Sequence, residues 1–191
     1  MSEEILVKLI VDTFGVPEKP QQLDIPKASL LDWMRTDDVE VLGAIYAFIS
    51  KPEYAKRVQP ALTLQEYGDF ILRYFDCCIR LNPSGEWAHT RYEAGWDLAA
   101  WFARLWREGD ASRKTLEKIK AWLANLYKEA DEEIRRCIVD ATLEHLLENR
   151  EITQFFSDWK GDVDLSIAYA EAAAWAKKSR GTRGKPDGTL L

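Results

Sequence analysis

From Thr63 the bulky apolar residues Tyr67, Phe70, Ile71 and Tyr74 recur at steps of three and four, with Asp69 and Arg73 between them. That is the period of a helix with one buried face. The same spacing runs through almost the whole chain, and Val, Ile and Thr nowhere alternate with polar residues for long enough to build a sheet. The pattern predicts an all-α fold. A first helix capped by Ser2 ends near Phe14-Gly15, and the proline-rich stretch 16–26 reads as a linker. Short helices follow at 27–35 and 38–49, the second opened by Asp37 and Glu40 as a capping box. Pro52 and Pro60 bracket a loop with one helical turn. Thr63 and Glu66 form another capping box and start a helix that runs to about Leu81, where Asn82-Pro-Ser-Gly stops it. Further helices are predicted from Glu86 to a left-handed stop at Gly109, over 112–129, over 131–148 opened by Asp131, over the short Thr153-to-Trp159 segment and over 163–178.

Connections of two to six residues should fold successive helices into antiparallel hairpins. Thr63-Leu64 and Thr115-Leu116 are followed by apolar residues at matching steps, which hints at repetition. The predicted architecture is therefore helical hairpins stacked as an irregular HEAT-like array or an orthogonal bundle. Its 191 residues suit one domain over 1–180, with a flexible tail over 181–191.

Composition narrows the partners. The formal charge is −6, which repels phosphate and argues against nucleic-acid or anionic-membrane binding. Three cysteines, two of them adjacent as Cys77-Cys78, make neither a disulfide framework nor a paired C-x-x-C site, so they read as buried thiols in a reducing compartment. The opening residues carry acids where a secretory leader needs Lys or Arg, and no apolar run approaches the roughly 18–20 residues that span a bilayer. A cytoplasmic location is expected. Eight tryptophans make the packing unusually aromatic.

The stretch Glu86 to Trp106 is the densest in candidate chemistry. On a helical projection from Trp87 most of it is core: Ala94, Leu98, Trp101, Phe102 and Leu105 share that side. Opposite lies a polar strip of His89, Glu93, Asp97 and Arg104. His89, Glu93 and Asp97, at successive steps of four, could point at one metal ion, and Glu86 with His89 matches the E-x-x-H pair of di-iron bundles. A second such pair is missing, because Thr142 stands three residues before His145. We therefore read the strip as a solvated face with acid-to-base pairing, and expect no metal or other cofactor. Arg91 projects into the apolar face, where a guanidinium must snorkel, pair with a carboxylate or meet an anion. A structural ion pair is the expectation, and a ligand-binding arginine the alternative.

The helix over 131–148 projects as buried nearly all round, with His145 sharing the face of Ile134, Ile138 and Ala141, and a polar strip of Glu133, Arg136, Asp140 and Glu144. His145 reads as a satisfied core histidine, with a general base as the alternative; Cys137 lies two turns earlier on roughly that side. No phosphate loop, nucleophile elbow or zinc-protease motif occurs in the sequence.

At Leu143-Glu-His-Leu146 with Phe155, Phe156 and Trp159, the chain resembles small bacterial all-helical proteins of HEAT-like form, some associated with toxin immunity. The resemblance implies an inhibitor that binds another protein. With the negative charge, it makes an interaction protein acting on a basic partner the leading expectation. The rival is an enzyme or a ligand- or metal-binding bundle built on Arg91, His145 or the His89/Glu93/Asp97 strip. Oligomeric state stays open, with Trp96 and Trp159 as candidate interface aromatics.

Overall fold

The computed structural model describes residues 25–183. They are all-α apart from one two-residue strand pair. Among them no helix is long and apolar enough to cross a membrane. The chain divides into two compact units, Met1–Thr90 and Arg91–Leu191. The predicted first helix, nearly all of the linker, and residues 184–191 lie outside the described residues.

In the first unit, β1 (Ile25–Pro26) pairs in parallel with β2 (Val58–Gln59), Ile25 opposite Val58. Between them come α1 (Lys27–Trp33), α2 (Val39–Ile49) and the single turn α3 (Pro52–Ala55), followed by α4 (Leu64–Leu81). The N-cap of α2 is Asp38, not Asp37, and its carboxylate accepts from the backbone N–H of Glu40 and Val41. Asp37 is drawn instead to Arg73, at 2.9 Å. That guanidinium also donates to the Met34 and Thr36 carbonyls, closing the C-terminal end of α1 where backbone acceptors lack helical partners. Thr63 and Glu66 make the predicted capping box on α4, and Asn82, in the left-handed region at φ 48°, ends it. Leu42, Ile45, Ile71, Tyr74, Phe75 and Ile79 fill the core where α2 meets α4.

In the second unit, α5 (Arg91–Glu108) is followed by a 3₁₀ turn (Gly109–Ser112) and α6 (Arg113–Glu129). Gly109 takes φ +77°, which a side chain would strain, so α5 stops there. A central helix follows in three parts: α7 (Glu132–Cys137), a π-helical segment (Ile138–Leu143) and α8 (Glu144–Leu147). Asp131 caps it through the Ile134 N–H at 2.9 Å. Then come α9 (Arg150–Phe155), a 3₁₀ turn (Ser157–Gly161) and α10 (Leu165–Arg183), which runs past the predicted end at Lys178.

The central helix packs against α5 and α10. Contact with α5 is close because Gly95 has no side chain: a Cβ there would lie 2.6 Å from Ala141 Cβ. At the same crossing Thr142 Oγ1 donates to the Gly95 carbonyl at 3.1 Å, so this buried hydroxyl is satisfied. Phe155, Phe156 and Trp159 are packing residues. Phe156 and Trp159 are buried, and Lys120 reaches up from α6 to the Phe155 carbonyl and Asp158 at 2.7 and 2.6 Å. Trp159, proposed above as an interface aromatic, is only 3% exposed. The edge of its ring packs on Phe156, which closes it inside the fold.

Candidate functional site

Two expectations change once the helices are placed. The helix predicted from Glu86 begins at Arg91, so Trp87 to Thr90 are loop, and Trp87 is 36% exposed rather than core. The cause is local. Glu40 of α2 takes the N–H groups of Trp87 and Ala88 at 2.8 and 3.3 Å, drawing that backbone onto α2 in place of a helical turn. His89 therefore does not share a helical strip with Glu93 and Asp97. Among the described residues no group of three His, Cys, Asp or Glu is placed to hold a metal ion.

His89 sits instead in an aromatic cluster of the first unit. Its Nδ1 lies 2.6 Å from the Tyr74 hydroxyl, which also accepts from the His89 backbone N–H at 3.0 Å. Tyr46 and Phe75 meet the imidazole edge to face. Cys78 lies beside Tyr74 in this cluster, and burial above all pushes its thiol up to about 12. A thiol held there stays protonated at neutral pH and is a weak nucleophile. Cys137 of the second unit is likewise pushed up to about 12, chiefly by burial, and donates to the Arg91 carbonyl at 3.3 Å.

Arg91 is buried, 9% exposed, and its Nη1 meets Glu133 of α7 at 3.0 Å. His145 is the second correction: it is exposed and lies edge-on to Trp175, 5.7 Å between ring centres. A π turn bonds i to i+5, so the Ile138–Leu143 segment falls about one residue behind α-helical register. His145 then takes the angle an unbroken helix would give Glu144, and Leu146 takes the buried angle projected for His145. Arg91 and His145 are thus occupied with different partners, Glu133 and Trp175.

The π segment organises a different site. Asp140 lies within it, Glu144 directly after it, and Glu171 comes across from α10. With Glu132 they line an open cleft of about 460 Å³, together with Tyr127, Val139 and Ile167. Four carboxylates face two guanidinium groups, and both cations are engaged. Arg135 donates to the Tyr127 and Lys128 carbonyls at 3.0 and 3.1 Å, closing the end of α6, and Arg136 pairs with Asp140 at 3.3 Å.

Glu144 registers the imbalance. Burial first, then the Asp140 and Glu171 charges, raise its carboxyl from 4.5 to about 7, and no cation among the described residues opposes them. The Tyr127 hydroxyl on the cleft wall is raised in the same way, by burial and next by Glu171. A bound ammonium or guanidinium would offset this field, re-ionise Glu144 and release a proton.

Sequence reading grouped Asp140 and Glu144 as part of a polar strip but missed Glu171. A signal was present. Glu171 is the single acid in the otherwise apolar and basic run from Leu165 to Lys178. Like charges four residues apart, as at Asp140 and Glu144, are also mildly unfavourable on a helix and so invite explanation.

The chain matches no family model, no curated protein and no solved structure.

Proposed function

We propose that this protein is an interaction module, of the inhibitor or immunity kind, that binds a basic partner protein through the acidic cleft of its second unit. The observation supporting this reading is Glu144: a half-buried carboxylate beside two more, with no cation among the described residues set against it. Leaving such a group uncompensated costs the fold free energy, and a partner's cation would recover it. Ile167, exposed at the rim, supplies apolar contact. Cys78, whose thiol burial pushes up to about 12, offers no activated nucleophile beside His89.

The test is affinity capture from the protein's own cells, followed by calorimetry with the identified partner. Binding should weaken as salt rises and fall at least tenfold in Glu171→Lys, which reverses a charge without touching the core. A partner that binds wild type and Glu171→Lys equally would refute the cleft as the interface. Co-purification of a small molecule or metal without any protein partner would refute the interaction reading as a whole.

A further inference from the structure

In the same unit, α5 leaves two aromatic rings in solvent. Trp96 is 49% exposed and Tyr92, one turn before it, is 37% exposed; their rings meet edge to face at 6.2 Å. Gly95 and Ala94, on the opposite side of the same turn, are buried, so the helix turns this pair outward while docking on the central helix. Exposed aromatic faces attract cations.

The pair also adjoins the acids. Burial and then the Asp140 charge raise the Tyr92 hydroxyl, with Arg136 acting in the opposite sense. Cys137 donates to the carbonyl of Arg91, the residue before Tyr92, and Gly95, the residue before Trp96, meets Ala141, so Asp140 stands at the boundary between the aromatic pair and the Glu144 and Glu171 cleft. Arg136 already shows what suits this boundary: its guanidinium pairs with Asp140 near Tyr92. It is 75% exposed, and an ion pair so exposed contributes little, so an incoming guanidinium can replace it.

We infer that the partner presents an arginine-bearing segment, one guanidinium stacking on Tyr92 and Trp96 beside Asp140 and a second entering the cleft between Glu144 and Glu171. Arginine rather than lysine fits because a planar guanidinium stacks on a ring while donating in its plane to a carboxylate. A second copy of this chain is a poor occupant, since the −6 charge sets like against like. This inference rests on the interaction reading above and narrows it to a side-chain chemistry.

The test uses two synthetic peptides that differ only in having Arg or Lys at every basic position, with an acidic peptide as control. Binding is followed by the chemical shift of the Trp96 indole N–H. Wild type should bind the Arg peptide about three- to tenfold more tightly than the Lys peptide. Trp96→Ala should abolish that preference while keeping residual binding, Trp96→Phe should keep it, and Glu144→Lys should weaken both peptides. Unchanged thermal unfolding of Trp96→Ala would show that its fold is intact. Equal binding of the two peptides, with Trp96→Ala indistinguishable from wild type, overturns this inference and leaves the acidic-cleft reading standing. Binding of neither basic peptide overturns both. A wild-type dimer that dissociates in Trp96→Ala gives the aromatic pair to a second copy and overturns the inference.

Discussion

Replacing Glu144 by Gln keeps the side chain's shape and removes its charge. Glu144 is half-buried and its carboxyl lies at about 7 rather than 4.5, because burial and the Asp140 and Glu171 charges all penalise ionisation. A carboxyl raised in the folded state binds its proton more tightly there than in the unfolded chain. The resulting stabilisation is complete below pH 4.5 and is lost as pH rises through about 7. Each pH unit between those limits is worth about 1.4 kcal/mol, which puts the loss at no more than roughly 3–4 kcal/mol. Solvent access to the cleft screens these charges and reduces the figure to about 1–2 kcal/mol.

Glu144→Gln should therefore match wild type below pH 4.5 and exceed it by about 1–2 kcal/mol above pH 7. Urea unfolding of both proteins across this range measures the difference, and groups that titrate equally in both cancel from it. A constant difference would refute the argument. A variant that grows less stable than wild type as pH rises would also refute it, since that is the sign of a carboxylate paired with a cation.

Gly43→Ala would place a Cβ 2.4 Å from the Trp87 carbonyl oxygen, a backbone atom with little room to yield, and should lower stability by about 2 kcal/mol in chemical denaturation. Gly95→Ala, with its Cβ 2.6 Å from Ala141 Cβ, should cost about 1–3 kcal/mol, and a neutral result would mean the crossing is looser than described. Tyr74→Phe removes the hydroxyl that holds His89 and should cost about 1–2 kcal/mol, read as a lower melting temperature. In thiol labelling followed by mass spectrometry, half-buried Cys77 should react first, while Cys78 and Cys137, both pushed up to about 12, should react only as the protein unfolds.

Much of the fold was legible in the residues because helix signals are local. The Thr63/Glu66 box, the Asn82 stop, the Gly109 terminator and the Asp131 cap each act within one turn, and each operates where the pattern placed it. The all-α class follows from the apolar period, which a helix of nearly any tertiary setting preserves. Thr115 shows the limit of such matching. It stands inside α6, which starts at Arg113, so its likeness to Thr63 does not extend to a capping role.

What tertiary structure decided lies where a distant group overrides a local preference. Glu40, 47 residues from Trp87, draws the Trp87 and Ala88 backbone onto α2, which moves the start of α5 to Arg91 and takes His89 off the predicted metal strip. The π segment at Ile138–Leu143 does the same for His145. An α-helical projection assumes constant register, and one inserted residue in the turn redirects every side chain after it. The acidic cleft depends on both effects: Glu144 reaches its place through that turn, and Glu171 through the packing of α10 against the central helix. Spacing along the chain could name Asp140 and Glu144 as neighbours. That a third carboxylate stands with them, while Arg136 pairs with Asp140 rather than with Glu144, depends on which faces meet in three dimensions.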